Sequence, residues 1–100
     1  MIKVKIKKNN NLIDTITISG HAKYSTYGKD IVCSSVSSIV TATINAILRL
    51  EENSISYIDN NDLTIKILNH NKIVDTLIDN MLSLLCELEK DYKKYIKIEN

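Results

Sequence analysis

The chain has 100 residues, with thirteen lysines and arginines against twelve aspartates and glutamates, for a formal net charge of +1. That length, with 44% apolar residues, supports one domain over residues 1–100 with a single core. Near-neutrality argues against direct nucleic-acid binding, and no apolar run reads as a membrane span.

Residues 1–8 alternate strictly. Ile2, Val4 and Ile6 face one way and Lys3, Lys5 and Lys7 the other, as in a half-buried strand. Asn9-Asn10-Asn11 is a turn that tolerates left-handed backbone. The β-branched run from Leu12 to Ser19 is the returning strand, ended by Gly20. Residues 21–30 lack periodicity. From Val32 the period becomes helical, with Val32, Val36, Ile39, Val40, Thr43, Ile44, Ile47 and Leu50 on one face, which predicts a helix from about Ile31 to Glu52. Residues 54–58 and 62–68 form a second hairpin about Asp59-Asn60-Asn61-Asp62. A second helix runs from about Lys72 to Asp91 with an apolar stripe from Ile73 to Leu88, and Tyr95 to Ile98 alternates as a last strand. The predicted class is α+β, in the order ββ-α-ββ-α-β. A mixed, mostly antiparallel sheet packs with two helices in two layers.

The chemistry concentrates between Gly20 and Ser37. This stretch holds both glycines, one of two histidines and one of two cysteines. Cys33 is predicted in the first turn of the first helix, where free amides favour a thiolate and can hold an oxyanion. His21, twelve residues upstream, is the available base, because imidazole titrates near neutrality. Each has a plainer reading, Cys33 as a small packing residue and His21 as a surface loop histidine. Their joint placement beside both glycines, in the one aperiodic stretch, shifts the balance toward the catalytic reading, but a His and a Cys in a loop leave both readings open. Asp30 reads as the helix N-cap, compatible with a role in orienting the catalytic groups. Ser37 lies one turn beyond Cys33 on the same face, able to donate to the thiolate or to a substrate carbonyl, among ordinary helix serines at 34, 35 and 38. Tyr24 and Tyr27 flank the loop as pocket walls or anchors, and Gly28 supplies backbone freedom for a candidate lid. His70 reads as a surface or capping residue and Cys86 as packing. A zinc site from His21, Cys33, His70 and Cys86 lacks the close ligand spacing of zinc knuckles, so no metal or other cofactor is expected. Two cysteines without a secretory leader argue for thiols in the cytoplasm, with a Cys33–Cys86 disulfide left open by the spacing.

Gly20-His21-Ala22, then Gly28-Lys29-Asp30-Ile31-Val32-Cys33, then Val36-Ser37, resembles the ribosomal-processing cysteine protease family, Prp. The resemblance extends over the whole chain. It implies an endopeptidase that removes a short N-terminal extension from the precursor of bacterial large-subunit ribosomal protein twenty-seven, cutting after a hydrophobic stretch. It also implies a homodimer and a mobile loop that orders around substrate. Carried over by position, Cys33 is the nucleophile and His21 the general base and acid. Asp30 and Ser37 support the site, and Gly20, Ala22, Tyr24, Tyr27 and Gly28 belong to the substrate loop. Lys23 and Ser25 stand where small residues are usual, which bears on substrate fit rather than on the chemistry. The competing reading is a non-catalytic ribosome-associated binding or assembly factor, with the lysine face of the first strand on RNA. It leaves Cys33 without a role. Thiol redox chemistry lacks a Cys-x-x-Cys pair.

Overall fold

The structure is a computed structural model that describes residues 1–20 and 27–100. Over 27–30 it describes the helical backbone alone. β1 (Ile2–Asn9) and β2 (Leu12–Ser19) form an antiparallel hairpin. Its two-residue turn, Asn10-Asn11, has positive φ at both positions (55° and 67°), as a turn matching the twist of the strands requires. Then follow α1 (Tyr27–Leu50), β3 (Ile55–Asp59), β4 (Leu63–Ile67), α2 (Lys72–Asp91) and β5 (Ile96–Glu99). The predicted order and class hold. The five strands make one sheet in the order β3-β4-β2-β1-β5. Every pairing is antiparallel except β1 with β5.

Alternation sets the layers. Ile2 and Val4 of β1, Ile16 and Ile18 of β2, and Ile65 and Ile67 of β4 point to one face and are buried there. Both helices cover that face. Val32, Val36, Val40 and Ile47 of α1 and Val74, Met81 and Leu85 of α2 join the same core cluster. At about 1.5–3 kcal/mol for each fully buried aliphatic side chain, this cluster is the main source of stability. Each helix turns one residue of its predicted stripe outward, Leu50 at the end of α1 and Ile73 in the first turn of α2. Residues 31–50 of α1 are long and apolar enough to cross a membrane by length and composition, contrary to the sequence reading. Here the apolar side of that stretch lies on the sheet, as in a core helix.

The ends of α2 are tied as its sequence allows. Asn71, not His70, is the N-cap, accepting from the Val74 amide at 3.0 Å. His70 instead pairs its Nδ1 with Asp75 Oδ1 at 3.0 Å. Near the other end, a Glu89 carboxylate oxygen accepts from the Ile98 amide at 2.7 Å, fastening edge strand β5 to the helix.

Candidate active site

The first helix begins four residues earlier than its apolar pattern indicates, at Tyr27. A helix's first turn buries little, so hydrophobic periodicity does not report it. This changes the reading of two residues. Asp30 is the fourth helical residue and not the N-cap. Cys33 is the seventh, in the second turn, so the free amides of the helix start belong to residues before it. The expectation that those amides sit at the sulfur is therefore corrected. The earlier start has a second consequence. Asp30, Cys33 and Ser37 fall at i, i+3 and i+7 of one continuous helix, which is a single stripe.

Along that stripe Cys33 is half-buried, packed against the core cluster, with a free thiol. One side of Cys33 is thus set against apolar neighbours. Ser37 is exposed. The nearby serines are not equivalent to it. The Ser35 hydroxyl donates to the Ile31 carbonyl at 2.8 Å and is committed to the helix backbone. Ser37 makes no hydrogen bond to any described residue, unlike Ser35. Sequence singles out Ser37 by its place one turn beyond Cys33, and the Ser35 bond to the backbone adds a second distinction between them.

Ser37 also lines a recess of about 150 Å³ with Val40, Thr41, Asp59 and Leu63. Asp59 and Leu63 read from sequence only as hairpin residues. Their place beside the helix follows from strand register. Leu63 pairs with Ile18, and β2 ends one residue later at Ser19. The end of β2, the start of β4 and the Ser37 turn of α1 therefore meet at one end of the sheet. Gly20 leaves β2 there with φ 75°, and an added Cβ would lie 2.2 Å from the Met1 carbonyl oxygen. Only glycine lets the chain pass the start of β1 at this point. His21 is the next residue along the chain, one peptide step from Gly20.

His21, Ala22 and Tyr24 lie outside the described residues. Tyr27, Gly28 and Asp30 are described as helical backbone only. Cys86, expected to pack, is exposed and free, because it sits one position beyond buried Leu85 and turns off the apolar stripe. Among the described residues no three His, Cys, Asp or Glu side chains converge as metal ligands.

A family model described as "Cysteine protease Prp" matches residues 1–97. The chain belongs to this family. A Staphylococcus aureus relative, the ribosomal processing cysteine protease Prp, is 32% identical across 98% of this chain and 97% of its own length. The fold superposes on the crystal structure of S. aureus Prp in complex with a substrate peptide, with a TM-score of 0.91 and 25% identity over 99% of this chain and 98% of that one. The S. aureus Prp complex with a covalently linked product peptide gives a TM-score of 0.88 at 26% identity over the same shares. The Prp fold is the two-layer α+β arrangement described above, and the chain is a cysteine protease, a hydrolase of peptide bonds.

Proposed function

We propose that this chain is a cytoplasmic endopeptidase. It removes the N-terminal extension of the precursor of bacterial large-subunit ribosomal protein twenty-seven, with Cys33 as nucleophile and His21 as general base and acid. The observation that carries this reading is the position of Cys33. It is a half-buried free thiol on one helical stripe with Asp30 and Ser37, in a chain of a cysteine protease family. Near-full-length similarity to a protease named for ribosomal processing supports the substrate class, and that relative's complex with a substrate peptide supports a peptide as the ligand.

The reaction is acyl transfer. His21 accepts the Cys33 proton and the sulfur attacks the scissile carbonyl carbon, forming a C–S bond and an oxyanion. With Cys33 in the second turn, the Ser37 hydroxyl is a donor on the correct face for that oxyanion. The C–N bond breaks as His21 returns the proton to the leaving amine. Water, deprotonated by His21, then releases the acyl group as a carboxylate and restores the thiol. Asp30, one turn before Cys33 in sequence, supports the site by orienting His21. The substrate loop of Gly20, Ala22, Tyr24, Tyr27 and Gly28 encloses the peptide, and the working form is a homodimer, checked by sedimentation.

The direct test is mass spectrometry of an extended precursor after incubation with the wild-type chain and with Cys33→Ala. One cut at the end of the extension, absent with the variant, is expected. Intact precursor with folded wild-type protein overturns the substrate assignment, and equal cleavage by the variant overturns the nucleophile.

A further inference from the structure

The helices cover one face of the sheet and leave the other open. Strand register assembles that open face from residues far apart in sequence. Lys97 of β5, Lys3 of β1 and Ser19 of β2 form one row. Glu99, Lys5, Thr17, Thr64 and Ile58 form the second. Lys7, Thr15, Lys66 and Ser56 form the third. All five lysines are exposed, and among the described residues none is in an ion pair. A net charge of +1 conceals this segregation. Five of the thirteen cationic side chains share the open face with two carboxylates, Glu99 and Asp14, the extra residue of the β2 bulge whose Oδ2 accepts from the Thr15 hydroxyl at 2.8 Å, leaving eight cations against ten carboxylates in the rest of the sequence.

This arrangement works against stability. Lys3 and Lys97 stand directly opposite on adjacent strands, where like charges repel, and Glu99 offsets only the neighbouring Lys5. A polyanion laid on the face removes that repulsion. Lysine with threonine and serine is also the side-chain set that contacts nucleic-acid backbone. No strand residue on the face is aromatic, so stacking on bases has no platform there. A membrane surface needs apolar anchors beside the cations, and Ile58 at the sheet rim is the one large apolar side chain on these rows.

We propose that the open sheet face binds RNA backbone without sequence preference and holds the protease against the ribonucleoprotein that carries its substrate. The choice of RNA rests on the ribosomal reading of the substrate; the charged surface does not. The sheet thus separates two tasks, chemistry at the helix-side end of β2 and anchoring on the opposite face.

The test is fluorescence anisotropy of a labelled single-stranded RNA of mixed sequence with the full chain, titrated between about 50 and 200 mM salt. Contact by all five lysines gives a log–log salt slope of about −3.5, at roughly −0.7 per phosphate on a single strand. Lys3→Gln/Lys5→Gln/Lys7→Gln should flatten the slope by about 2 and weaken binding at least about tenfold at the low-salt end, since each lost contact forfeits counterion release. The Arg triple at the same positions should restore binding. Arg49→Gln/Lys72→Gln/Lys90→Gln, which removes the same charge from the helices, should leave the slope in place. Equal weakening by the two Gln triples, no binding at the lowest salt, displacement of RNA by polyglutamate as readily as by unlabelled RNA, or tighter lysine-dependent binding to phosphatidylserine vesicles would each overturn the proposal. Cleavage of a short free precursor peptide should be unchanged in the strand triple. Failure of that cleavage in the wild type would instead overturn the protease substrate while leaving the RNA measurement standing.

Discussion

Gly20→Ala tests whether the close pass between β2 and β1 is structural. Two costs add. An L-residue held at φ 75° loses about 1–2 kcal/mol to contact between its Cβ and the backbone. The added Cβ would also lie 2.2 Å from the Met1 carbonyl oxygen, 3.1 Å from the Met1 carbonyl carbon and 3.4 Å from Ile2 Cα. All three are backbone atoms, so no side chain can swing aside, and overpacking of this kind costs about 1–3 kcal/mol. Relief requires moving the start of β1, whose Ile2 amide donates to the Tyr95 carbonyl at 2.8 Å and helps hold β5. Alanine recovers about 0.4–1 kcal/mol by restricting the unfolded chain. The net expectation is a loss of about 1–4.5 kcal/mol, a sizeable fraction of the about 5–15 kcal/mol typical of a domain. Urea unfolding followed by circular dichroism reads this directly. Ser19→Ala, on the open face, is the control and should stay within about 0.5 kcal/mol of wild type. A loss below about 1 kcal/mol for Gly20→Ala at unchanged m-value would show that the chain start yields freely, refuting the close-approach argument.

Cys33→Ala should abolish precursor cleavage while shifting stability by no more than about 1 kcal/mol, because the thiol is half-buried and alanine nearly fills its place; loss of the far-ultraviolet spectrum would show that it is mainly a packing residue. Ser37→Ala should lower kcat by about 10²-fold as the loss of one oxyanion donor, whereas Ser35→Ala, whose hydroxyl is bonded to the Ile31 carbonyl, should leave kcat within a factor of about two. Equal effects at the two serines in single-turnover kinetics would remove Ser37 from the oxyanion. Asn71→Ala should cost about 1 kcal/mol in urea unfolding as the loss of the α2 cap. Glu89→Ala should cost about 1.5–3 kcal/mol by stranding the Ile98 amide, and faster hydrogen exchange at Ile98 should accompany it.

What sequence reveals here divides by whether a feature is local. The first hairpin is local: paired asparagines supply left-handed backbone and alternation supplies register. Both ends of α2 are local, because its buried stripe of Val74, Ile78, Met81 and Leu85 fills the helix nearly end to end. The start of α1 is equally local but silent, since its first turn adds nothing to the apolar pattern, and the error carried directly into the site by placing Asp30 at a cap and Cys33 among free amides. Strand order and the parallel β1–β5 pair are non-local. No turn residue announces them, and they create both surfaces that matter. By setting Leu63 against Ile18, register brings the β3–β4 turn to Ser37 and makes a recess beside the helix that carries Cys33. By setting Lys97 against Lys3 and Lys66 against Thr15, it gathers lysines from three strands onto one face of a nearly neutral chain. The motif that carries the family resemblance lies in the short stretch between Gly20 and Ser37. The Cys33 stripe within it depends only on helix continuity. The proposed pairing of His21 with Cys33 requires β2 to end at the edge along which that stripe runs, and β2, the central strand, is hydrogen-bonded on both sides.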